Sequence, residues 1–204
     1  MEEKAMSKSV QSIQDIAPMQ GGKSSESGDP VQADYEKGKE LLQKDEFSQA
    51  AVALHNALLG YQQREDQRGI ANASNQMGHV CLAKKDYDQA LSHYNRAWDI
   101  CEKLHDPMSM LSLSNQMILV YRGQGQLKKT IGICLDLLEK YHDNNDPQGT
   151  VAVLEQMAEI YLEAGEQAKA ADAYRTIASI HANFKHENIA EGYLQKAKDL
   201  EKAC

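Results

Sequence analysis

From Asp29 onward apolar residues recur three and four positions apart, the spacing of one helical face, and no run alternates apolar and polar residues as a half-buried strand would. Helix starts are marked by Asp29-Pro30, Asp106-Pro107 and Asp146-Pro147. In each, Asp caps the first turn and Pro fills a position whose N–H has no helical partner. Asp66-Gln67 holds the same place in a further unit. A second set of breaks, Lys44-Asp45-Glu46, Lys84-Lys85-Asp86, Gly123-Gln124-Gly125 and Ala164-Gly165-Glu166, divides each unit into two helices. The pattern predicts an all-α chain of antiparallel helical hairpins.

The hairpins repeat. Ser74-Asn75-Gln76-Met77 returns 40 residues later as Ser114-Asn115-Gln116-Met117, and after a further 40 as Leu154-Glu155-Gln156-Met157. A fixed period of this size indicates stacked units, each burying its apolar face only against its neighbours. Columns at the same step show what the stacking requires. Gly38, Gly78, Ile118 and Ala158 form one column and Ala50, Ala90, Thr130 and Ala170 another, mostly small residues where helices approach closely. Met77, Met117 and Met157 are expected in the core. Leu54, Tyr94, Cys134 and Tyr174 fill the second helix, with Ala57, Ala97, Leu137 and Ile177 three positions on.

Unit two, with Met77-Gly78-x2-Cys81, Ala90, Tyr94 and Ala97, and unit one, with Gly38-x2-Leu41, Ala50, Leu54 and Ala57, resemble the tetratricopeptide repeat. Ile118, Thr130, Leu137 and Ile177 depart from its small-residue positions in units three and four. The 40-residue length exceeds the ordinary repeat of about 34 and is similar to the repeats of kinesin light chains, Pins-type adaptors and Rap-type regulators. The resemblance implies a right-handed α-solenoid over residues 31–203, with repeats near 31–66, 67–106, 107–146 and 147–186. A capping helix over 187–203 carries polar Glu201 where a further unit would need an apolar contact. Residues 1–30, rich in Ser, Gln, Gly and Lys and without an aromatic, are expected to form a disordered N-terminal tail. Within it, Val10, Ile13, Ile16 and Met19 recur at threes, as in a short amphipathic turn or a tail with scattered apolar residues.

A net charge of −8 disfavours nucleic acid or an anionic membrane surface as partner. There is no apolar run long enough to span a bilayer and no apolar secretory segment, so the chain is expected to be cytoplasmic and not membrane-inserted. Cys81, Cys101, Cys134 and Cys204 lack metal or disulfide spacing; the first three are expected as buried thiols and Cys204 as an exposed one. The seven histidines form no ligand motif, and no phosphate-binding loop or nucleophile elbow is present. The expectation is a non-enzymatic scaffold with no cofactor and no metal.

The resemblance also implies that the first helices of successive units line a concave groove. It assigns to that groove Tyr35 and Lys39; Asn75, Gln76 and His79; Asn115, Gln116, Leu119 and Arg122; and Glu155 and Glu159. The Asn-Gln pairs offer donors and acceptors that could grip a peptide backbone, although the same amides also suit a solvated face inherited by duplication. Groove charge runs from Lys39, through amides and Arg122, to Glu155, Glu159 and Glu163, complementing a basic end of a ligand. The carboxylate clamp of chaperone-binding relatives would map onto Tyr35, Lys39, Gln76, Ser112 and Gln116, where only one residue is basic, so that mode is disfavoured. The expected function is capture of a peptide or helix of a partner protein. The alternative is a self-assembling or autoinhibited scaffold, a homo-oligomer joined by its tail or array ends.

Overall fold

The computed structural model describes residues 28–202. The expected tail therefore lies almost wholly outside the described residues, as do the Val10–Met19 segment and Cys204. Among the described residues there are nine α-helices and no strand. They are α1 (Pro30–Gln43), α2 (Phe47–Gln63), α3 (Gln67–Ala83), α4 (Tyr87–Lys103), α5 (Pro107–Gly123), α6 (Leu127–Asp143), α7 (Pro147–Glu163), α8 (Gln167–Asn183) and α9 (Glu187–Lys202). Each packs on the next, and α1 also touches α3. The result is an α-solenoid of antiparallel hairpins ending in a single helix.

The helices keep a stricter period than the sequence shows: from α3 onward each opens 20 residues after its predecessor. One turn, used eight times, explains this. A residue in the left-handed region follows every helix but the last, at Asp45, Glu65, Lys85, His105, Gly125, Asn145, Gly165 and Lys185. The next N–H donates to the carbonyl five residues back, as Glu46 does to Leu41, Asp86 to Cys81 and Asp146 to Tyr141. This closure satisfies carbonyls that a helix C-terminus otherwise leaves without donors. The expected caps form as well: the carboxylates of Asp29, Asp66, Asp106 and Asp146 accept from the N–H of Val31, Gly69, Ser109 and Gly149.

Helix contacts join a large residue to a small one. Tyr94, fully buried, lies over Gly78, and Leu54 lies over Gly38; Tyr61 lies over Gly69 and Tyr141 over Gly149. Ile118 departs from the small-residue rule, but its counterpart in the second helix is Cys134, and the two are buried in one cluster. The larger and smaller residues have changed places at that crossing, which conserves volume in a close-packed core. Met117 and Met157 are buried as expected, whereas Met77 is half-buried at the edge of its cluster. Cys101 and Cys134 are buried, Cys81 is half-buried, and burial pushes the Cys134 thiol up to about 12.

Candidate functional site

Side chains join the first helices α5, α7 and α9 along one face, and α1 touches α3. Arg122 on α5 reaches α7, donating through Nε to both carboxylate oxygens of Glu163 at 3.1 and 3.0 Å and through Nη1 to Glu159 at 3.0 Å. The Tyr193 hydroxyl on α9 donates to Glu155 on α7. These links bring the expected groove residues of neighbouring units together on one surface.

Their accessibility differs from the expectation. Tyr35 is buried, edge-on to Tyr61 with ring centroids 6.2 Å apart, and Lys39 Nζ lies 5.3 Å from its centroid while pairing with Glu36. Asn75 is only 8% exposed, and its Oδ1 is buried without a hydrogen-bond partner. Asn115 is half-buried, and its Nδ2 donates to the Leu111 carbonyl at 3.1 Å and to the Tyr141 hydroxyl at 3.4 Å. The asparagines thus belong to the packed interior of the array, not to an open ladder. The counterpart of Tyr141 in the unit before is Cys101, which carries no hydroxyl for Asn75.

The glutamines are less buried than Asn75. Gln76, Gln116 and Gln156 stand at 40-residue steps on α3, α5 and α7, each half-buried, and Gln156 Oε1 has no hydrogen-bond partner. The sequence carried this signal: Gln survives in Leu154-Glu155-Gln156-Met157, where Asn does not. His79 is half-buried, with Nδ1 3.2 Å from the Tyr94 hydroxyl, and burial pushes its imidazole down to about 4. Leu119 is exposed on the same face. Leu162, absent from the expected set, is exposed on α7 beside Glu163. It sits 40 residues after Arg122, in a column that reads Leu42, Leu82, Arg122 and Leu162, so leucine at three of the four steps was the available cue.

The acidic end of the expected charge gradient is tied into the array. Arg122 holds the Glu163 carboxyl below the usual range through its hydrogen bond, and Glu155 and Glu159 both have partners. The acidic end is a set of internal links between units, so a basic ligand group would have to displace them. A separate cleft of about 460 Å³ lies between α4 and α6 above α5, bordered by Asn95, Trp98, Met117, Ile133 and Lys140. No group of three or more potential metal ligands occurs among the described residues, and none of their helices is long and apolar enough to cross a membrane.

Comparison with solved structures places this arrangement. The nearly identical TPR-like repeats of a kinesin-light-chain-type protein from Podosopora anserina superpose with a TM-score of 0.61 at 11% identity, over 86% of this chain and 97% of that one. The fold is that of a tetratricopeptide-like repeat array. The apo form of RapI is similar, with a TM-score of 0.64 at 15% identity over 86% of this chain and 54% of RapI. Among curated proteins, the uncharacterized protein ycf37 of Guillardia theta is 31% identical over 110 residues, 54% of this chain. The match spans 58% of that relative's length. No protein-family profile matches the chain.

Proposed function

We propose that this chain is a non-catalytic, cytoplasmic interaction module that holds an extended peptide or helix of a partner protein along the face of α1, α3, α5 and α7, with residues 31–203 as the binding domain. The observation that carries this is the glutamine column: three half-buried amides at equal steps on successive first helices. A side-chain amide can donate to and accept from a peptide backbone, so the column favours strand-like or irregular main chain over one specific side chain. Exposed Leu119 and Leu162 beside it supply apolar contact area. The tetratricopeptide-like fold supports an interaction role; the groove supports this form of it.

Peptides selected from a random display library against the full chain, mapped by amide chemical-shift changes, test the proposal. Shifts should cluster on α3, α5 and α7, and the triple variant Gln76→Ala, Gln116→Ala, Gln156→Ala should weaken binding at least tenfold with helicity unchanged. Selected peptides that map to the cleft beside Trp98, or bind the triple variant equally well, would overturn it.

A further inference from the structure

The histidines, which form no ligand motif in sequence, include one pair that the fold brings together. His181 in the last turn of α8 and His186 at the start of α9 lie on either side of the turn at Lys185, with their Nδ1 atoms 3.4 Å apart. Two nitrogens bound to one tetrahedral zinc at about 2.0–2.1 Å each lie about 3.3 Å apart. The pair therefore already stands at the separation of two ligands on one ion.

Both rings are held in place. His181 stacks on Tyr193 with centroids 5.7 Å apart and 3° between planes, and His186 stacks on Phe184 at 6.4 Å. Tyr193 is itself fixed by its hydrogen bond to Glu155 and by Lys196 Nζ over its ring. The pair also breaks the repeat at both positions together. Steps of 40 residues back from His181 meet Tyr141, Cys101 and Tyr61, and steps back from His186 meet Asp146, Asp106 and Asp66. Those three aspartates cap α7, α5 and α3, so His186 stands where the other units use a carboxylate to hold the first turn. Losing a cap destabilises a helix start.

The geometry points to a two-histidine site for a borderline divalent transition ion, with zinc as the type case, at the junction of α8 and α9. Neutral imidazole suits such ions, and coordination through both Nδ1 atoms puts each proton on Nε2. Without an ion the 3.4 Å contact needs opposite tautomers, one Nδ1 donating to the other. No third His, Cys, Asp or Glu completes a cluster among the described residues, so water fills the remaining positions. The bound ion would tie the final helix to the array at the corner where the aspartate cap is missing.

Zinc chloride titrated calorimetrically into the tag-free full chain at neutral pH tests the site. One ion should bind per chain. His181→Ala and His186→Ala should each weaken binding at least tenfold, whereas His142→Ala should leave it unchanged. Two-dimensional NMR of the imidazoles should show both His181 and His186 as Nε2–H tautomers in the presence of zinc. The variants change partly or fully exposed side chains, and circular dichroism confirms that they fold. Absence of saturable binding at millimolar zinc, unchanged binding in either single variant, or opposite tautomers with zinc present would overturn the proposal.

Discussion

The exchange of large and small residues at the helix crossings makes a quantitative prediction in unit two. A Cβ on Gly78 would lie 2.8 Å from Cζ of Tyr94 and closer still to two other ring carbons, and Tyr94 has no exposed surface through which to retreat. Gly78→Ile should therefore overpack the hairpin and cost about 2–3 kcal/mol, net of a small gain in helix propensity. Tyr94→Cys empties a fully buried ring and removes its contact with His79, for about 3–4 kcal/mol by comparison with aromatic-to-Ala changes in cores. Together the two substitutions reproduce Ile118 with Cys134, a pair that the chain already packs one unit later. The double variant should lose only about 2–3 kcal/mol, a coupling of about 3 kcal/mol in the favourable direction. Urea unfolding followed by far-ultraviolet circular dichroism on the four proteins measures it. If a single variant fails to fold, folding of the double variant is itself the readout. Additivity within about 0.5 kcal/mol, or an unfolded double variant, would refute the exchange.

Four further outcomes follow from the same contacts. Cys101→Tyr with Ser109→Gly should convert the α4–α5 crossing to the Tyr-over-Gly form seen at Tyr61 and Tyr141, supply Asn75 with a hydroxyl, and be less destabilising in urea than Cys101→Tyr alone. His79 is neutral in the folded chain because burial pushes its pKa to about 4, below the ordinary 6.5 of the unfolded chain. Its contribution is full above about pH 6.5 and is lost as pH falls toward 4, at no more than about 1.4 kcal/mol per pH unit, so His79→Gln should flatten the acid limb of a stability profile. Arg122→Ala breaks a largely exposed link between α5 and α7 and should cost under about 1 kcal/mol, an effect that shrinks with added salt in thermal melts. Lys85→Gly should raise the urea midpoint by about 0.5–1 kcal/mol in stability, because Lys85 has a φ of 60° that glycine adopts without strain.

Local signals were legible in the sequence and long-range ones only in part. The aspartate caps and the interhelical breaks depend on residues within one turn of each other, so Asp29, Asp66, Asp106 and Asp146 mark helix starts without knowledge of the fold. The eightfold turn was harder to see, because six of its eight left-handed positions hold residues other than glycine. Ile118 departs from its column because its volume is balanced on another helix. Its partner Cys134 lies 16 residues away, and only the pair conserves volume.

The candidate face depends on a finer distinction. Successive helical residues point about 100° apart, so Asn75 and Gln76 cannot share one environment even though the repeat carries them as a pair. The inward residue meets the one 26 positions further on, in the next helix, as Tyr35 meets Tyr61 edge-on and Asn115 bonds Tyr141; Cys101 holds the equivalent position for Asn75. The inward column is therefore constrained by packing within the hairpin and varies from Tyr35 through Asn75 and Asn115 to Glu155. The neighbouring column runs Glu36, Gln76, Gln116 and Gln156, keeping glutamine through units two to four. Over those three units the first column changes from Asn to Glu while the second does not, and that is why the peptide-binding proposal rests on the glutamines.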